Sequence, residues 1–593
     1  MHRNGRQTDG RGRKVCLVNG IMNADTILTN GIVFSISGDG RRAEGEAVAV
    51  ADGLILAVGD SASILQYADE KTKVIDCKGG TILPGFVDGH LHSALAASVF
   101  GNCSLFGVSC AQDESSDDAI NKYVAEMEKF IADHPEQSVY RGTGWDRAYF
   151  TGGYKNTRWP SRKDLDRICR DKPVIMESYC QHALWTNTKA IELAGLDETT
   201  PEPVNGSITR DENGYPDGTF LEMESKALII DNMPGYDYTV DEYKESFLRF
   251  QEEFALPSGV TFVNDCMSTE NYIEAMKQLA REGKLKLRVR GVYLLDNIND
   301  AERIAEINSR KGTDNVGDLF GIGTIKLFFD GEFATLEPYE PEAIASNGFP
   351  EGYCGECFYS DEEVNEGLAK AMATGLQIHI HACGDRVTRQ AARGLVYAQN
   401  RTGLHRRNVI AHLMLVQDDD KQIIGGNGII CNVQPRWMVY DLDSTGNSEV
   451  MFGRKRAMEF YPYKTLLDAG CRCACGTDFP VIPSVNPFEG IETAITRCIY
   501  EGAALYAPQF KGVPLGPLDD PTKECVSLAD VVRSYTYEGA YQNFIEDVTG
   551  SIEVGKSAEL VVLGCDLEAV PADEIHFIRP EMTFFKGDLV YQK

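Results

Sequence analysis

Basic residues are in deficit here: 58 Lys and Arg face 89 Asp and Glu, leaving a net charge of −31. A nucleic-acid partner needs a basic surface, so that class is excluded, and an anionic membrane is excluded on the same ground. No uninterrupted apolar run is long enough to cross a bilayer. The opening stretch, Met1 to Lys14, is basic and Gly-rich with no apolar region behind it, so it does not read as a signal peptide. Seventeen cysteines are an odd number and lie scattered, which argues against a disulfide framework and for a reducing cytoplasm. Two local clusters, Cys354-x-x-Cys357 and Cys471-x-Cys473-x-Cys475, have no second cysteine pair at zinc spacing and read as small buried thiols. Histidine is scarce at ten residues, so where each one falls is informative.

What is present is ordinary for a globular chain: 43% hydrophobic and 25% charged residues. A length of 593 residues exceeds one compact core and implies several units. Residues 1–24 read as an extension, with Met22 a possible second start. From Asp25 short strand-like runs alternate with Asn-Gly, Gly-Asp-Gly and Asp-Gly turns, a β unit over 25–85. Strand character returns over 545–593, around Ala558–Leu563, Met582–Lys586 and Leu589–Tyr591. The two ends are expected to meet in one composite β-sandwich. Between them, 86–544 reads as a barrel interrupted by an insertion over 93–257. The insertion shows amphipathic helices at Ala119–Ala132 and Thr239–Phe254 among irregular segments.

The barrel follows from alternation. Strand-like runs occur at Phe86–Asp88, Gly259–Asp265, Arg288–Leu294, Thr324–Asp330, Leu376–Ala382, Asn408–Leu413, Ile429–Val433 and Cys471–Thr477. Helical segments separate several of them: Glu270–Gly283, Asn299–Lys311, Asp361–Thr374, Asp385–Gln399 and Gln417–Ile424. Eight strands alternating with helices predict an α/β fold, a (β/α)₈ TIM-like barrel with right-handed crossovers.

Barrel enzymes carry their chemistry at the C-terminal strand ends. His90 and His92 end strand one, and their spacing puts both on one strand face. His379 and His381 end strand five, and His412 ends strand six. Lys326 lies in strand four, and Asp478 follows strand eight. Five of the ten histidines therefore fall on these ends. A His-x-His pair alone is as readily a satisfied buried pair as a metal site; the whole set points to a metal.

The motifs are T-I-L-P-G-F-V-D-G-H-L-H (81–92), G-W-D (144–146), P-x-x-x-x-L-D (160–166) and P-V-I-M-E-S-Y-C-Q-H-A-L-W-T-N (173–187). K-L-F-F-D-G (326–331), H-A-C-G-D-R (381–386), Q-P (434–435), G-T-D-F-P-V (476–481), T-R (496–497) and G-S-I-E-V-G-K-S-A-E-L-V-V-L (550–563) follow. The sequence resembles the amidohydrolase superfamily of metal-dependent hydrolases, in the branch with N-substituted formamide deformylase and the YtcJ-like proteins. The resemblance runs from about Asp25 to Lys593 and implies two divalent ions, Zn²⁺ by preference. His90, His92 and Asp478 would hold the more buried ion, and His381 and His412 the other. Lys326 would bridge them as an Nζ-carboxylate formed with CO₂. A bridging hydroxide would attack a carbonyl carbon, with Asp478 passing its proton to the leaving nitrogen. The activity implied is hydrolysis of a C–N bond in a small amide, N-acyl or N-formyl compound.

Other roles are read residue by residue. His379 is expected to pack behind the ligands or orient one of them. Lys326 could instead pair with Asp330. His182, Trp145 and Asp146 of the insertion are candidates for substrate contact, as is Arg436, for which a surface salt bridge competes. Asp385 is expected to cap a helix, and Arg497 to form an ion pair. The chain departs from the family pattern at Cys383 and Glu559, neither expected to touch a ligand, and at Thr477, a mild change beside Asp478. Two other readings stand beside the first: a mononuclear deaminase of a cyclic amidine, which normally lacks a bridging lysine, and a catalytically silent scaffold on the same fold. A small-molecule substrate is the expected partner, and a homodimer is possible from the family.

Overall fold

In the computed structural model, all eight anticipated runs form strands, and they pair in parallel and in chain order. They are β1 (Phe86–Leu91), β2 (Val260–Asp265), β3 (Arg288–Leu294), β4 (Phe320–Phe328), β5 (Gln377–Ala382), β6 (Val409–His412), β7 (Ile430–Val433) and β8 (Arg472–Cys475). The structure describes residues 23–108, 110, 114–150, 158–178, 181–203, 206–331, 333–347, 349–442, 444–503 and 506–593, with the backbone of Arg6–Thr8 and Lys14–Cys16. Apart from those two short strands, the expected extension over 1–24 lies almost wholly outside the described residues.

The strands are buried along nearly their whole length, as a parallel sheet covered by helices requires. The barrel closes between β8 and β1 just past the end of β8. There Asp478 N–H donates to His90 C=O (2.9 Å) and His92 N–H to Phe479 C=O (2.7 Å). This seam needs glycine at 476, where a Cβ would come within 2.6 Å of the His90 carbonyl oxygen. The seam thereby places the β8 aspartate directly beside the β1 histidines.

Helices Glu270–Arg281, Ala301–Arg310, Asp361–Ala373, Asp385–Thr402 and Asp418–Gly426 fill the crossovers. Their starts obey local chemistry. Thr269 accepts from Tyr272 N–H, and Ser360 and Glu363 form a reciprocal capping box. Asp385 does not cap its helix; Gly384 holds that position. The Asp385 carboxylate instead accepts from Leu336 N–H (2.8 Å) and the Gln417 amide (2.7 Å), tying two loops together.

Two further sheets follow, the first built from both chain ends and the second from the N-terminal part alone. One runs Asp588–Gln592, Pro580–Phe585, Leu560–Leu563, Thr81–Pro84, Ile32–Val33; the other runs Leu54–Gly59, Ala47–Ala51, Thr26–Thr29, Lys73–Asp76. Leu28, Val48, Ile82, Leu560, Val562 and Phe584 form a shared core between them. Glu559 enters from this side and pairs with Arg288 of β3 at 2.7 Å, both side chains buried.

The region 93–257 differs from the expectation of helices among irregular segments. It holds a six-stranded sheet, ordered Cys103–Ser104, Tyr140–Trp145, Val174–Ser178, Ala183–Thr186, Pro216–Leu221, Ser207–Arg210, with a core of its own around Tyr123, Met127, Met176 and Trp185. Among the described residues no helix is long and apolar enough to cross a membrane.

Candidate metal centre

The strand ends converge on one cavity of about 490 Å³, lined by His90, His92, Lys326, His381, His412 and Asp478. All six side chains are buried. His92 Nε2 lies 2.9 Å and His90 Nε2 3.3 Å from the same Asp478 oxygen, Oδ1. Three ligand atoms from two strand ends thus gather at one point. The His90 and His412 rings are 4.8 Å apart, and those of His381 and His412 4.5 Å. His412 (φ 77°) and Asp478 (φ 60°) sit in the left-handed region, where non-glycine residues cost of order 1–3 kcal/mol and persist only when their surroundings hold them.

Three of the rings are oriented from behind. His90 Nδ1 lies 2.9 Å from His379 Nε2, so the deeper histidine aims its neighbour. His381 Nδ1 faces Asp330 at 3.0 Å, leaving Nε2 toward the cavity. His412 Nδ1 faces the Gln434 amide oxygen at 3.1 Å. Gln434 donates to Asn432 (2.9 Å), Asn432 to Gln542 (2.9 Å), and Gln542 to the Gly89 carbonyl (2.7 Å), so an amide chain anchors His412 to β1. Asp88 accepts from Thr477 Oγ1 at 2.5 Å and from its N–H at 3.1 Å, bracing the same seam.

The electrostatics suit a cation. Burial pushes His90, His379 and His412 well below the usual imidazole range and lowers His381, so the rings stay neutral, as metal ligands must. Burial would raise Asp478, but the hydrogen bond from His92, with His412 and Lys326 close by, holds it down to about 2. Burial also lowers Lys326, whose Nζ has no hydrogen-bond partner among the described residues. The alternative Lys326–Asp330 pair is not formed. Asp330 instead takes the His381 ring and the N–H groups of Ala334, Cys383 and Gly384. Convergent acceptors, neutral rings and one orphaned buried amine fit a divalent-metal centre.

The insertion supplies one wall. His182 Nδ1 is 2.8 Å from Glu222 Oε2, and the His182 ring lies 5.9 Å from that of His381. Burial would raise Glu222, but the charge and hydrogen bond of His182, with Arg147 behind, lower it. Gly144, Asp146 and Arg147 line the cavity. Trp145, expected to touch substrate, is instead a fully buried core residue whose indole N–H donates to the Met176 carbonyl (2.9 Å). Arg436 lines the cavity but is not at the surface: it is buried, donates to Tyr500 Oη (3.0 Å) and lies 3.7 Å from Glu489. Arg497 forms no ion pair among the described residues. It donates to the carbonyls of Leu515, Tyr461 and Phe460, three residues that line the cavity.

Several contributors were not foreseen. Glu222 has no motif around it. The orienting role of Asp330 was masked by its proximity in sequence to Lys326. Cys383 lies against a proposed ligand, its Sγ 3.7 Å from His381 Nε2. Cys266 groups with His90 and His379 beneath the cavity. The thiols of Cys354 and Cys357, by contrast, meet backbone carbonyls and the Gln390 amide.

A parallel eight-stranded barrel with clustered histidines and an aspartate at its C-terminal mouth defines the class of amidohydrolase-fold proteins. The chain belongs to the amidohydrolase family, whose profile matches residues 73–591. It is 24% identical over 573 residues to the putative amidohydrolase YtcJ of Bacillus subtilis, covering 95% of this chain and 98% of that one. It is 24% identical over 580 residues to N-substituted formamide deformylase of Arthrobacter pascens, covering 96% and 98%. An uncharacterised metal-dependent hydrolase from Pyrococcus horikoshii OT3 shares the fold with a TM-score of 0.68 at 24% identity, over 92% of this chain and 99% of that one.

Proposed function

We propose that the protein is a dinuclear metal-dependent hydrolase that cleaves the C–N bond of a small amide, N-acyl or N-formyl compound. The observation that carries this reading is the orphaned, buried Lys326 amine among His90, His92, His381, His412 and Asp478. A plain ammonium there would repel the cations the other residues are arranged to hold. A neutral amine can add CO₂, forming an N–C bond and releasing one proton, and the resulting carboxylate would satisfy both ions. His90, His92 and Asp478 would hold one ion and His381 and His412 the other, with the carboxylate of Lys326 between them. Such ions supply an activated water and polarise the substrate carbonyl.

The remaining steps belong to side chains. Asp478, with two histidines against one oxygen, accepts the proton of the attacking water and returns it to the leaving nitrogen. His182, held by Glu222, faces what lies over the centre and positions the acyl group. Phe106, Phe333, Trp437, Phe460 and Tyr506 line the cavity, favouring an apolar substituent on carbonyl or nitrogen. The relation to a deformylase supports an N-substituted formamide as the first substrate to try. The free cysteines among the described residues support a reducing cytoplasm.

The test is reconstitution with Zn²⁺ and bicarbonate, metal counting, and a screen of N-formyl, N-acyl and cyclic amides. Two ions per chain with amide turnover is the expected result. One ion with deamination of a ring amidine would favour the mononuclear reading, and a metal-free, inert protein would favour the silent scaffold.

A further inference from the structure

We infer that Cys383 gives a thiolate ligand to the outer ion, so that this position is held by His381, His412, the carboxylate of Lys326 and sulfur. The inference rests on the dinuclear reading above.

The geometry is that of two ligands on one ion. Cys383 Sγ lies 3.7 Å from His381 Nε2. On a tetrahedral zinc, bonds of about 2.0–2.1 Å to nitrogen and about 2.3 Å to sulfur put the two donors about 3.5 Å apart. The nitrogen concerned is the ligating one, because Nδ1 of the same ring is committed to Asp330. Asp330, His381 and Cys383 offer donor atoms within 4.8 Å of one another. The Asp330 oxygens, however, already accept main-chain N–H groups, so this carboxylate holds the ring and the turn, leaving nitrogen and sulfur for the ion.

The thiol sits on a fixed support. Cys383 N–H donates to Asp330 at 3.2 Å, and its carbonyl accepts from Leu415 N–H at 3.0 Å. Gly384 follows because any Cβ there would run into the Ala334 backbone. Cys383 is buried and lines the cavity, as does the unpartnered Lys326 amine, which is 1% exposed. Ligation forms an S–metal bond and sends the thiol proton to water. A soft sulfur donor at this position selects Zn²⁺, Co²⁺ or Cd²⁺ over Mg²⁺ and Mn²⁺.

The test uses the full-length protein loaded with Co²⁺, and with Zn²⁺ for X-ray absorption. The wild type should hold two ions and show a near-ultraviolet thiolate-to-cobalt band, and the zinc form should show a sulfur neighbour at about 2.3 Å. In Cys383→Ser and Cys383→Ala the band should vanish. Two ions in the wild type with no band and no sulfur neighbour would overturn the inference and leave the dinuclear hydrolase standing. A band that persists in both variants would also overturn it, assigning the sulfur to Cys266. A wild type that takes up no cobalt would fail the dinuclear reading, and this inference with it.

Discussion

Replacing Asp330 by asparagine separates what holds the metal centre from what merely surrounds it. The Asp330 carboxylate receives His381 Nδ1 (3.0 Å), Gly384 N–H (3.0 Å), Cys383 N–H (3.2 Å to each oxygen) and Ala334 N–H (3.3 Å). Asparagine keeps the shape and one oxygen. If its NH₂ takes the Oδ2 place, it opposes the Gly384 and Ala334 donors. If it takes the Oδ1 place, it donates to His381 Nδ1 and forces the ring proton onto Nε2, the atom that must ligate. The second arrangement opposes fewer donors and is expected to win. Hydrogen bonds to a charged group are worth about 1.5–3 kcal/mol, so the variant should lose about that much stability. Loss of a ligand-orienting partner costs about 10–100-fold in metal affinity. Urea unfolding of the metal-free protein measures the first quantity, and metal retained per chain after dialysis against a graded chelator measures the second. Asp330→Ala leaves several buried N–H groups unmet and should be worse on both. Wild-type stability and wild-type retention in Asp330→Asn would refute the argument that this carboxylate organises the centre.

Asp478→Asn should retain metal and lose about 10²–10⁴-fold in turnover, since the side chain can still ligate but can no longer accept a proton; a wild-type rate would remove it from the mechanism. Glu559→Ala should cost about 3–5 kcal/mol in urea unfolding, because it removes the one buried carboxylate that pairs with the buried Arg288 guanidinium among the described residues. An unchanged midpoint would mean that Asp318, 2.7 Å from the same arginine, suffices alone. Glu222→Gln should lower kcat/KM with the metal count unchanged, and the double variant with His182→Ala should lose little more than either single change. Additive losses would show that the two residues act separately.

The barrel was legible because its strands announce themselves twice, as short apolar runs and by their spacing between helices. The cluster of histidines with Asp478 was legible because histidines are few and lie at strand ends, where a parallel barrel puts its polar side chains. The insertion was not legible. Its strands, such as Ala183–Thr186 and Tyr140–Trp145, are buried on both faces and lack the alternation that marks a half-exposed strand. Trp145 was misassigned for the same reason: an aromatic beside a charged residue in a G-W-D motif looks like a binding residue, yet the strand turns it into its own core. Arg497 and Arg436 show a second limit. A buried arginine, whether satisfied by carbonyls as Arg497 is or by a tyrosine and a glutamate as Arg436 is, cannot be told from a surface one until its neighbours are known.

Two carboxylates that hold histidines at the cavity show how the insertion can govern substrate without disturbing metal. Glu222 lies against Gly331, where a Cβ would come within 2.6 Å of its carboxyl carbon, and Asp330 is the residue before. One carboxylate therefore sits on each side of a single barrel loop. Asp330, from the barrel, orients His381 toward the cavity. Glu222, from the insertion, orients His182, whose ring lies 5.9 Å from that of His381. Because each histidine is held by its own acid, moving His182 needs no movement of His381. Substitutions at His182 or Glu222 should then shift preference among acyl groups at constant metal content, while those at Asp330 should change metal content and every substrate together. A substrate series run on both sets of variants separates the two behaviours, and parallel loss of metal in the Glu222 series would show that the insertion is part of the cage.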